Sequence, residues 1–196
     1  GEGAEEGEGG LSDAVIEELQ QRAVTEGWLF SVGRNEATEG PVNNLCGFVD
    51  AKYRPYDAQK DGVGLRAEKG GAKALPVAFD WRTQGGTTTP KNQGYCGTCW
   101  AFTTVGVLEC AVKIKSGKTV DLSEQWLVNC NTYGWSSTCN VGGNFAFDYF
   151  GLTLDSCGQT GAVYETACPY AAAPGTPACP YERSYKIDSW ARVNGM

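Results

Sequence analysis

A chain of 196 residues with 41% apolar residues is long enough to bury one sizeable core, and no apolar run reaches the roughly 20 residues of a membrane-spanning helix. Its 16 Lys and Arg against 23 Asp and Glu leave a net charge of −7. Phosphate binding draws on clustered Lys and Arg, and the lack of any basic stripe excludes nucleic acid as a partner. Nine cysteines point to an oxidising compartment, and the absence of histidine removes the side chain that most often acts as general base near neutral pH.

The first ten residues, an acidic glycine-rich tract, are expected to be disordered and lack the basic and apolar stretches of a secretory signal. Ser12 and Asp13 then precede a segment with apolar residues at 15, 16, 19 and 23, which predicts an amphipathic helix. From Glu36 to Gly71 the chain is rich in Gly, Pro and charge. Lys69–Ala74 has the composition of an exposed linker, and a processing cut is expected there, just before Leu75. These features divide the chain into 1–10, an N-terminal extension over 11–74, and a main domain over 75–196.

In the main domain, Thr98 stands where it can cap a helix that starts at Cys99, runs through Trp100, Ala101, Val105, Leu108, Val112 and Ile114, and stops at Gly117. Cys99 is therefore a candidate nucleophile at a helix N-terminus, where partial positive charge favours thiolate. Asp121 with Glu124 reads as a capping box for a second helix through Val128. Phe145, Ala146, Tyr149 and Phe150 suggest a third, short helix. Beyond Gly151, loops and the first strands of another subdomain are expected. Trp81, Trp100, Trp126, Phe102 and Phe147 read as core, and Tyr164, Tyr170, Tyr181 and Tyr185 as packing or loop anchors. Glu109, if it faces the core, needs a partner that the sequence does not name.

The segment Gln93-Gly94-Tyr95-Cys96-Gly97-Thr98-Cys99-Trp100-Ala101-Phe102 resembles the signature around the nucleophile of papain-like cysteine peptidases. The likeness continues in Leu75-Pro76 and Phe79-Asp80-Trp81-Arg82, in Thr89–Gly94, in Ser123-Glu124-Gln125 with Leu127 and Cys130, and in Cys139 followed by Gly142-Gly143. It covers residues 75 to about 195. Val42–Phe48 with Tyr53-Arg54 is faintly similar to the inhibitory pro-region of these enzymes, and an unrelated extension stays open because the pro-region's long helix signature is not recognisable.

The resemblance implies an α+β fold of two subdomains, of which this chain covers mainly the helical one and the start of the β-rich one. It implies peptide-bond hydrolysis through an acyl-enzyme, with Cys99 as nucleophile and the Gln93 amide and Cys99 backbone N–H holding the oxyanion. Gly97, Gly142 and Gly143 are the implied substrate-binding positions. Here the chain departs from the family, since both Asn140 and Val141 separate Cys139 from the glycine pair where one residue is usual. The implied disulfides are Cys96–Cys139 and Cys130–Cys179; a Cys157–Cys168 bridge is expected from proximity alone, and Cys46 and Cys110 stay unassigned.

Also implied are no cofactor and no metal, protein or peptide substrates, the chain's own pro-region as an inhibitor, a monomer, no membrane insertion, and a lysosomal, vacuolar or secreted location. The family's histidine and asparagine follow the cysteine by roughly 130–150 residues, a distance Met196 does not reach, so an incomplete precursor, inactive alone, is expected. A non-catalytic papain-like binding or inhibitory module is the alternative. A Cys96-X-X-Cys99 oxidoreductase is disfavoured by the polar, turn-rich loop before it. Zinc binding by Cys96, Cys99, Cys130 and Cys139 is disfavoured by the wide second spacing.

Overall fold

The computed structural model describes residues 10–40, 76–136 and 138–190. Residues 1–9, the Val42–Arg54 stretch with Cys46, and the linker Lys69–Ala74 lie outside the described residues. Among those described are four α-helices, α1 (Asp13–Glu26), α2 (Glu36–Glu39), α3 (Cys99–Ser116) and α4 (Glu124–Cys130), and short 3-10 turns at Phe147–Phe150 and Glu165–Ala167.

Local chemistry accounts for α1. The Ser12 hydroxyl accepts from Val15 N at 3.4 Å, and Gly27, in the left-handed region, ends the helix while Trp28 N bonds Ala23 O at 2.9 Å. Of its residues only Ile16 is buried.

The longer α3 starts at Cys99 and ends at Gly117 as the sequence predicts, with Trp100, Ala101, Thr104, Val105, Leu108 and Glu109 buried along it. Its expected cap is not made: the Thr98 side chain bonds none of the helix N–H groups. The start of α4 differs too. Leu122 bridges Tyr164 and Asp121 O accepts from Glu165 N, so the backbone stays extended through Ser123. Ser123 is then the cap, accepting from Trp126 N at 2.9 Å, in place of an Asp121–Glu124 box.

The core forms where α3 and α4 meet the segments after them: Trp100, Val105 and Leu108 from α3, Trp126 and Leu127 from α4, then Tyr149, Phe150, Ala162 and Val163. Each fully buried tryptophan removes roughly 4–6 kcal/mol worth of apolar surface from water. Both indole N–H groups are paired, Trp100 with Ser136 Oγ at 3.0 Å and Trp126 with Asp155 Oδ2 at 2.8 Å. Trp81 is not core as expected; it is 46% exposed and packs edge-on against Phe79. The single antiparallel bridge is the only β pairing among the described residues beyond Gly151, where first strands were expected.

The segment after α4 is held by one buried ion pair. Arg183 Nη2 meets Asp155 Oδ2 at 2.5 Å, with both side chains almost fully buried. The other carboxylate oxygen accepts from Cys157 N at 2.9 Å and Gln159 N at 3.1 Å, which fixes the turn carrying Cys157.

That turn decides the disulfides. Cys96 bonds Cys139, but Cys179 bonds Cys157, not Cys130 as the resemblance implies, and not leaving Cys157 for Cys168. Ser156 N bonds Cys130 O at 2.9 Å, so Cys157 is carried in beside the end of α4. Its sulfur sits 3.9 Å from that of Cys130 and takes the one bond that Cys179 can make. Cys130 and Cys168 are left as buried free thiols. Burial, followed by the nearby Asp155 charge, pushes the Cys130 thiol up to about 12, so it stays protonated and unreactive.

Candidate active site

The polar loop that leads to Cys99 is anchored first by Lys91. Its ammonium bonds Asp121 at 2.7 Å, Glu109 at 2.9 Å, Glu124 at 3.0 Å and Leu122 O at 2.9 Å. Glu109, the buried carboxylate of α3, therefore has its partner; it also accepts from Thr88 Oγ1 at 3.0 Å and Leu122 N at 2.8 Å. Burial works against the Lys91 charge, but bonds to Asp121 and Glu109 and the Glu124 charge outweigh it and raise the ammonium's pKa. Burial lifts Glu124 to about 7 even though Lys91 pulls it down. Both pKa values rise, which favours the charged form of Lys91 and the neutral form of Glu124: one ammonium serves three carboxylates, and the deeply buried Glu124 bears the cost of the surplus charge.

Two residues on, the Gln93 side-chain amide donates to Cys96 O at 3.1 Å, which folds the amide back over the start of the cysteine loop. The Cys96–Cys139 bond, with Cα atoms 4.4 Å apart, and the Gly97 N to Cys139 O hydrogen bond of 2.8 Å tie this loop to the one that precedes Gly142-Gly143. Cys99 follows as the first residue of α3, half-buried and free.

Gly142 and Gly143 are both buried. A Cβ at Gly143 would lie 2.8 Å from the Trp100 indole, so only glycine lets this backbone press on the residue next to Cys99. The structure thus brings Gln93 and Gly143 against the Cys96–Trp100 segment, which contains Gly97; for Gly142 it gives burial alone. Since Cys96 and Cys139 share a disulfide, neither is available for a Cys96–Cys99 redox pair or a four-cysteine zinc site.

A second polar link was not apparent in the sequence. The Tyr170 hydroxyl donates to Gln93 O at 2.8 Å and lies 2.5 Å from Thr98 Oγ1, which explains why Thr98 does not cap α3. Nothing local to the Cys168-Pro169-Tyr170 sequence marks this tyrosine as part of a site, because its partners lie more than seventy positions upstream. The N-terminal segment also reaches the cysteine loop: Gly40 is buried, and a Cβ there would lie 1.9 Å from the Tyr95 ring.

This arrangement sets a half-buried free thiol at a helix start, on the loop that also carries the Gln93 amide. A family profile described as papain family cysteine protease matches residues 75–196. The chain belongs to the papain family of cysteine proteases.

Among its relatives, senescence-specific cysteine protease SAG39 of Oryza sativa subsp. japonica is 43% identical over 152 residues, 74% of this chain and 43% of that protein. Cathepsin S of Rattus norvegicus is 34% identical over 143 residues, 73% of this chain and 41% of that protein. The solved digestive procathepsin L2 proteinase from Tenebrio molitor larval midgut superposes with a TM-score of 0.65 at 28% identity, covering 90% of this chain and 55% of that one. The papain-like fold expected from the motifs is thereby established, with mainly its helical part described. The chain spans about two-fifths of the length of the curated relatives it matches.

Proposed function

We propose that this chain carries the nucleophile-bearing part of a cysteine endopeptidase, with Cys99 attacking a peptide carbonyl to form an acyl-enzyme that water then hydrolyses. The observation that carries this reading is a free, half-buried Cys99 at the N-terminus of α3, with the Gln93 amide held at the same loop. Gln93 and the Cys99 backbone N–H are assigned to the oxyanion, and Gly97, Gly142 and Gly143 to the substrate backbone.

With no histidine in the sequence, the general base has to come from residues outside it, and the chain alone should hydrolyse peptides negligibly. The test is hydrolysis of fluorogenic peptides by the protein isolated from its natural source and by its Cys99→Ser variant. Thiol-dependent turnover that falls at least about 10³-fold in the variant supports the reading. Folded, natural-length protein that lacks turnover would instead favour a non-catalytic papain-like binding module, which the missing histidine makes the second candidate.

Residues 11–74 are assigned as a pro-region that inhibits the site. The seating of Gly40 against Tyr95, beside the Cys96 loop, supports this, as does the similarity to a procathepsin over 90% of the chain. N-terminal sequencing of processed protein should give a start within residues 69–78; a start far from that window would reject the assignment. An oxidising compartment, lysosomal or vacuolar or outside the cell, fits the disulfides; the enzyme is assigned as monomeric, and its substrates as proteins and peptides.

A further inference from the structure

We propose that Tyr170 is a positioning residue that sets the spacing between the two oxyanion donors, a role that rests on the peptidase reading above. One phenol oxygen touches both flanks of the loop: Gln93 O at 2.8 Å and Thr98 Oγ1 at 2.5 Å. Gln93 is the residue whose side chain offers one donor, and Thr98 shares its peptide unit with the other, the Cys99 N–H.

The phenol and the Thr98 hydroxyl have two protons to share among three contacts, to Gln93 O, to Cys96 O and to each other. A backbone carbonyl can only accept, so the phenol proton goes to Gln93 O. The Thr98 hydroxyl lies 3.2 Å from Cys96 O and 2.5 Å from the phenol oxygen; with the phenol proton on Gln93 O, the closer contact takes the Thr98 proton. Both polar groups of Tyr170 and Thr98 are thereby spent on holding the loop.

The tyrosine is itself fixed on several sides. Its backbone N donates to Glu165 Oε1 at 2.7 Å, and the next residue's N donates to Gln125 Oε1 at 2.8 Å. Its ring stands edge-on to Phe102, one helical turn into α3, at 4.8 Å between centroids. Burial raises the phenol pKa, which keeps the donating proton in place across the physiological range. Four residues separate Gln93 from Thr98, two of them glycine, and the disulfide holds only Cys96. The phenol supplies a cross-link that the loop's own backbone lacks.

Tyr170→Phe in the natural-length, activated enzyme keeps the ring and deletes both hydrogen bonds. Loss of oxyanion alignment should lower kcat about 10-fold with KM changed less than about 2-fold. Alkylation of Cys99 by iodoacetamide, which forms no oxyanion, should keep its wild-type rate; a general disturbance of the nucleophile would slow both reactions. Thr98→Val should reproduce the loss of kcat, Thr98→Ser should restore it, and the Tyr170→Phe/Thr98→Val pair should lose no more than either alone. The inference is overturned if kcat stays within about 2-fold of wild type in both single variants, if the loss falls in KM, or if alkylation slows in parallel. Should Tyr170→Phe fail to fold, the Thr98 pair decides on the same criteria. Absence of turnover in the wild-type enzyme would sink the peptidase reading itself, a result that none of the outcomes for the clamp can mimic.

Discussion

Residues 10–40 and 76–190 are held together by opposite means. In the first region α1 is closed by its own cap and terminal glycine, and its ion pair from Arg34 to Asp13 is exposed, with Ile16 its sole buried side chain. In the second, α3 buries six residues along its length, and its partners lie across the chain: Glu109 on Lys91, Trp126 on Asp155, Thr98 on Tyr170. The first region thus rests mainly on local contacts, with Gly40 at the Tyr95 ring as its link to the second, whereas the second rests on a core shared by distant segments.

The largest effect expected is from Asp155→Asn. It leaves Arg183 buried beside a weaker partner and should cost about 3–5 kcal/mol in chemical denaturation of the domain while leaving α1 helicity unchanged. Removing the Cys96–Cys139 bond with a Cys96→Ser/Cys139→Ser pair should cost on the order of 2–4 kcal/mol in the same denaturation experiment and, on the proposed function, lower kcat, since the same bond ties the cysteine loop to the Gly142-Gly143 loop.

Glu124 gives a smaller, pH-dependent signature. Its folded pKa of about 7 lies above the roughly 4.3 of an unfolded glutamate, so the folded state binds that proton more tightly. Its favourable contribution is complete below about pH 4.3 and is lost as pH rises through 7. Thermal melts should therefore show wild type losing more stability than Glu124→Gln between pH 5 and pH 8; equal slopes would contradict the burial argument. The smallest effect belongs to the first region: Ser12→Ala should destabilise α1 by about 1 kcal/mol, seen as faster amide exchange there, with no change in the melting of the domain. A coupled drop in both would erase the contrast between the regions.

The start of α3 at Cys99, its stop at Gly117, the helix that follows Ser12 and Asp13, and the family were all readable from sequence. Each depends on residues within a few positions of one another, or on motifs in order. Three readings needed the fold. Thr98 has the right chemistry for a cap, but a phenol from 72 residues away takes its hydroxyl. Asp121 and Glu124 have capping-box spacing, but the Lys91 ammonium claims both and the bridge at Leu122 delays the helix.

The cysteines show the same limit most sharply. Cys130, Cys157 and Cys168 are equivalent as residues, and only the Asp155 turn decides which sulfur reaches Cys179. Short-range periodicity and capping are properties of the chain itself, so the amino-acid sequence determined the extent of α3 and the Cys99 thiol at its start. Competition among donors, acceptors and sulfurs is settled by distance in three dimensions, so only the tertiary structure decided what holds that thiol's loop in place.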